Sequence, residues 1–175
     1  MSVVERELTL SLRPLRRSLR ILVVLALLGI IALAAYPIAQ SLRAAYHFRQ
    51  AERALAAEEL DEAGDHLAVC LELQPDSVRF HLRAAQAARR SALYDLAADH
   101  LETCERLGDK SEALRLEGAM LGFQRGEMTS YTESLLLTAL DRDHPDSALV
   151  LEALARGYQG VYALEHALRC LDRWL

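Results

Sequence analysis

The chain is poor in the residues that break or staple structure. It has 8 glycines, 4 prolines and 3 cysteines in 175 residues, which excludes collagen-like and linker-like chains and gives no basis for a disulfide-stapled mini-domain. Aromatics make up only 6% and a single lysine, Lys110, stands against nineteen arginines. That ratio is a codon signature of a GC-rich, bacterial genome rather than a structural one. No glycine-rich phosphate loop, nucleophile elbow, His-Glu-x-x-His or CxxC pair occurs, so nothing points to an enzyme or to a bound cofactor. The net charge of −5 argues against a nucleic-acid binder, which is normally basic.

What is present is 52% hydrophobic residues, and the first of them are concentrated. A basic tail, residues 1–20, carries Arg6, Arg13, Arg16, Arg17 and Arg20, and residues 21–42 are without charge, beginning ILVVLALLGIIALAA. At 1.5 Å per residue a helix of about 20 apolar residues crosses the roughly 30 Å hydrocarbon layer. Residues 21–42 therefore read as a transmembrane signal anchor. Ala32-Leu33-Ala34 is also the kind of small-residue triplet that a signal peptidase cleaves, the competing reading. The five arginines outnumber Arg43, Arg49 and Arg53 on the other flank. This bias predicts a single-pass protein of the cytoplasmic membrane with its N-terminus in the cytoplasm and its bulk on the outer, periplasmic side. AQSLRAAYHFRQ, which follows the apolar run, has no glycine or proline and predicts helix continuing across the junction.

Beyond residue 43 the chain repeats itself. Residues 44–77 laid on 78–111 without gaps give twelve identities in 34 positions, among them His47/His81, Ala51/Ala85, Asp61/Asp95, Ala63/Ala97, His66/His100, Leu67/Leu101 and Cys70/Cys104. A third unit, 112–147, is looser and two residues long in its second half, and a fourth, 148–175, is incomplete. Apolar periodicity and short connections predict helices near 44–57, 61–74, 77–90, 94–107, 111–125, 128–141, 146–159 and 163–175, an all-α chain. The acidic clusters Glu58-Glu59, Asp61-Glu62 and Asp141 through Asp146 fall at turns and helix starts, where they are expected to cap amides and complement the helix dipole.

With its period of 34, small residues at Ala51, Ala63, Ala85 and Ala97, large ones at Leu67, Leu101, Leu151, Leu154 and Trp174, and Pro75 closing the first unit, the region 44–175 resembles the tetratricopeptide repeat. His47, His81 and Arg115 stand where that family prefers a large apolar side chain. The resemblance implies an α-solenoid of antiparallel helix pairs that binds a protein or peptide on the face lined by first helices. Residues at the corresponding positions are Arg79, Arg83, Gln86 and Arg90, a basic stripe, with Leu116, Met120 and Phe123 as an apolar strip beside it. An acidic or carboxylate-bearing protein segment is the ligand such a stripe predicts. The bland alternative is that the apolar three are core between repeats and the arginines a solvated face, neutralised from within by Glu52 or Glu117.

His-x-x-x-Cys occurs at His66/Cys70, His100/Cys104 and His166/Cys170. Spacing i, i+4 puts both on one helical face, but the third pair is out of phase and the first two sit on successive helices, too far apart to share one ion. No metal site is assigned, and the cysteines are expected buried with the histidines at the surface. The last unit should expose Leu164, Leu168, Leu171 and Leu175, a surface open to association. The function predicted is that of a non-enzymatic, membrane-anchored protein-binding scaffold or assembly factor. Its rival is a recruitment region for an enzyme whose catalytic part lies beyond residue 175 or on another chain.

Overall fold

A computed structural model describes the backbone of residues 3–142 and 144–174, and the side chains of that range apart from residues 3–23, 26, 31, 32 and 174. Within it the chain forms eight α-helices and no strand: α1 (Val3–Ala56), α2 (Leu60–Leu73), α3 (Val78–Arg90), α4 (Tyr94–Arg106), α5 (Glu112–Gln124), α6 (Ser130–Asp141), α7 (Ser147–Gly160) and α8 (Leu164–Trp174). It divides into two compact units, residues 1–43 and 44–175.

The first unit is the N-terminal part of α1. Its described apolar side chains, including Val24, Leu25, Leu28, Leu33, Ile38 and Leu42, are all exposed. Among the described residues the segment Leu27–Ala56 is a helix long and apolar enough to cross a membrane. Pro37 leaves the helical assignment unbroken; the Ser41 hydroxyl donates to the Pro37 carbonyl at 2.9 Å. The five arginines of the basic tail lie outside the described side chains.

In the second unit each helix packs on its neighbours in sequence, and α3 and α5, then α5 and α7, also touch. The pairs close through one turn used four times. Glu58, Ala92, Gly126 and Tyr162 adopt left-handed φ of 63°, 60°, 85° and 60°. The next amide in each turn reaches back five residues, Glu59 to Ala54, Leu93 to Ala88, Glu127 to Gly122 and Ala163 to Tyr158, at 2.8–2.9 Å. This satisfies carbonyls that the helix end would otherwise orphan. The first three turns are 34 residues apart and the fourth 36, the two-residue excess expected of the third unit.

Capping differs from expectation. Neither Glu59 nor Asp146 caps with its side chain. The caps formed are Ser111, accepting from the Leu114 amide, and a reciprocal Thr129/Thr132 box, hydroxyls short enough to curl onto their own helix start. Asp61 and Glu62 do lie in the first turn of α2, where their charge complements the helix dipole.

Three core clusters run along this unit. Phe48, Ala51, Ala63, Leu67 and Phe80 join α1, α2 and α3; Ala85, Ala97, Leu101, Leu114 and Leu121 join α3, α4 and α5; Leu116, Phe123, Leu136, Leu140, Leu154 and Tyr158 join α5, α6 and α7, with Ala167 of α8. No pair buries its apolar face alone, and the first helix of the next pair completes each core.

Candidate functional site

The basic stripe on α3 finds its counter-ions inside the chain. Arg83 Nε lies 2.8 Å from Glu52 Oε1 of α1, although its N–H is not aimed at that oxygen, and its Nη1 donates to Gln86 at 2.7 Å. Arg89, fully buried, donates from Nε to Glu117 of α5 and from Nη1 to Gln124 at 3.2 Å. Arg90 donates to Glu152 of α7 at 3.2 Å, to the Leu55 carbonyl at 3.2 Å and to Glu58 at 3.4 Å. Glu152 also forms an ion pair with Arg156 at 2.9 Å, and Arg156 donates to the Arg90 carbonyl at 2.8 Å. Arg79 instead lies over the Phe48 ring, 3.9 Å from its centroid, a cation–π contact.

The first-helix face is thus largely filled by its own ion pairs. Of the seven residues that the sequence singled out, Gln86, Leu116, Met120 and Phe123 are buried, and the Arg90 side chain nearly so; Arg79 is exposed and Arg83 half-buried. Leu116, Met120 and Phe123 are packing residues of the α5–α7 core rather than a strip on the surface. The reason is the close approach of α7: a Cβ on Gly157 would stand 2.9 Å from the Phe123 carbonyl oxygen, so only glycine admits that ring. Glu152, Arg156 and Gln124, which complete the network, were not singled out from sequence. Arg89 and Glu117 are 28 residues apart and Arg90 and Glu152 62 residues apart, so neither pair shares a local pattern.

The His-x-x-x-Cys strings divide their labour. Each cysteine turns inward: Cys70 Sγ faces the Ala44 carbonyl at 3.5 Å and Cys104 Sγ the Val78 carbonyl at 3.6 Å. Burial raises both thiol pKa values, that of Cys104 to about 11 with Asp109 adding to the effect. Each histidine meets another histidine 19 residues earlier on the partner helix. His47 and His66 approach Nδ1 to Nδ1 at 3.1 Å, His81 and His100 at 3.0 Å. These are the very positions, His47 and His81, at which the sequence departs from a large apolar residue. His166 lies instead against the Tyr158 ring, with centroids 5.1 Å apart, as its different phase required. Among the described residues no group of three or more His, Cys, Asp or Glu side chains is placed to hold a metal ion.

The remaining feature is a groove between α7 and α8, about 390 Å³, lined by Glu152, Ala155, Arg156, Gln159, Leu164, Ala167, Leu168 and Leu171. Leu164, Leu168 and Leu171 are 57%, 59% and 38% exposed; Leu175 lies outside the described residues. In the first two pairs the residue at the register of Leu171 is covered, and those at the registers of Leu164 and Leu168, namely Leu60, Tyr94, Gly64 and Ala98, are half-buried. Leu67 and Leu101, which correspond to Leu171, are 1% and 7% exposed because α3 and α5 lie over them. No protein-family model and no curated protein matches the chain.

Proposed function

We propose that the protein is a membrane-anchored helical scaffold of the tetratricopeptide type that holds a partner protein, and that it does so at the α7/α8 groove. The observation that carries this reading is the exposure of Leu164, Leu168 and Leu171, where Leu67 and Leu101, at the register of Leu171 in the first two pairs, are covered by the next first helix. The occupant that fits is an amphipathic helix of another protein. By analogy with the helices seated in the earlier grooves, it presents an apolar stripe like Phe80/Ala84/Ala87 of α3 or Leu114/Leu121 of α5 and places a charged residue against the Glu152–Arg156 pair at the groove's edge. The filled first-helix face supports the same choice, since its arginines already have internal partners.

The anchor is residues 21–42. An exposed stretch that is apolar on all sides is what a lipid-facing helix requires, and the arginine excess before it supports an N-terminus in the cytoplasm with the repeats outside. Recurrence of the same turn and the same His–His contacts at a 34-residue offset supports the tetratricopeptide resemblance.

Leu168→Asp tests the groove. The variant should fold, because Leu168 is exposed, and it should lose the partner from detergent-solubilised membranes while Arg79→Ala keeps it. Self-association of the purified chain, abolished by the same substitution, would make a second copy the occupant instead. Maleimide labelling of intact cells tests the anchor: cysteines placed beyond residue 45 should react and those before residue 20 should not.

A further inference from the structure

The two histidine pairs are built alike and are not needed by the scaffold reading. In each, a half-buried imidazole on a first helix faces one on the second helix of the same pair, with ring centroids 5.2 Å apart in both. The tautomer of the second pair follows from its surroundings. His81 Nε2 is 2.8 Å from the Pro75 carbonyl, which can only accept, so Nε2 carries the hydrogen and Nδ1 of the neutral ring is a free lone pair. His100 Nδ1–H then donates to it. Shifting that one proton to His100 Nε2 would leave two lone pairs converging on one point.

We propose that His47/His66 and His81/His100 are two equivalent bis-imidazole sites for a divalent late first-row transition metal ion, with water completing each coordination shell. Imidazole nitrogens bind zinc at about 2.0–2.1 Å, which puts two of them about 2.9 Å apart at a right angle and about 3.4 Å apart at the tetrahedral angle. The observed 3.1 and 3.0 Å lie between these values. Imidazole ligands select zinc, nickel and copper over magnesium and calcium. One ring of each pair also has an outer partner: the Pro75 carbonyl accepts from His81 Nε2, and Glu62 Oε1 stands 3.7 Å from His66 Nε2. Cys70 and Cys104 stay outside the shell, with thiols buried toward backbone carbonyls.

The test is calorimetric titration of the untagged full chain in detergent with Zn²⁺ and with Ni²⁺. Two ions should bind per chain, one in His66→Gln, one in His100→Gln and none in the double variant, while His144→Gln and His166→Gln should keep two. Because the glutamine variants also lose a ring-to-ring hydrogen bond, the unaltered chain supplies a second reading. Zn²⁺ should raise its Tm reversibly to chelator, and bound Cu²⁺ should show two nitrogen couplings per ion. No uptake by the unaltered chain, or two ions retained by the double variant, would overturn the proposal and leave each pair a simple N–H···N contact between helices.

Discussion

Arg89 of α3 donates to Glu117 of α5 at 2.5 Å, across 28 residues of sequence, with both side chains buried. A buried pair of this kind is costly to break from one side, because the surviving charge has neither water nor partner. Glu117→Ala should lower unfolding free energy by about 3–5 kcal/mol, read by urea denaturation. The double variant Arg89→Met/Glu117→Leu should recover most of that loss. Equal destabilisation by the single and double variants would mean that the site depends on shape rather than on charge.

The left-handed turns give a test of opposite sign. Ala92 has φ 60° with a Cβ that this region disfavours, at a cost of roughly 1–2 kcal/mol that glycine avoids at some expense in chain entropy. Ala92→Gly should therefore stabilise the protein by roughly 0.5–1 kcal/mol. Ala84→Gly, in the middle of α3, should destabilise it by about 1 kcal/mol. Thermal midpoints of the two variants should move in opposite directions.

At Gly157 the constraint is space. A Cβ there would meet Phe123 Cε1 at 2.8 Å as well as the Phe123 carbonyl, and Phe123 is fully buried. Gly157→Ala should cost about 1–3 kcal/mol through overpacking, despite the better helix propensity of alanine. Phe123→Leu in the same chain should relieve part of it, a coupling that a double-mutant cycle measures.

Acid should weaken the second helix pair. The His100 pKa is lowered in the folded chain from 6.5, by burial first and by the facing His81 second. The unfolded chain therefore takes up a proton before the folded one does. Stability from this group is complete above pH 6.5 and falls as pH drops below that value, until the lowered pKa is reached. His100→Gln should flatten the pH dependence of Tm between pH 7 and 5.

Local rules made most of the helical skeleton legible. Apart from the start at 44, which falls inside the unbroken α1, each predicted helix boundary in residues 44–175 falls within about two residues of an observed one, because apolar periodicity and short connections act over a few residues. The turns were less visible. Among the described residues three of the five left-handed positions are Glu58, Ala92 and Tyr162 rather than glycine, so only Gly108 and Gly126 announced their backbone. A stripe on a helix does not say which neighbour covers it, which is why Leu116, Met120 and Phe123 could be read either as a surface strip or as core between repeats; they lie in the core. The histidines were noticed along one helix, paired with cysteine at i, i+4, while their actual partners sit across the hairpin. The signal was present in the constant offset of 19 between His47 and His66 and between His81 and His100.

Photocrosslinking in native membranes tests the scaffold reading most directly. A photoreactive residue at Leu168, in the α7/α8 groove, should give one discrete adduct to another protein, and the same residue at Arg79, on the first-helix face, should give none. An adduct from position 79 with none from position 168 would contradict the account and return the partner to the first-helix face.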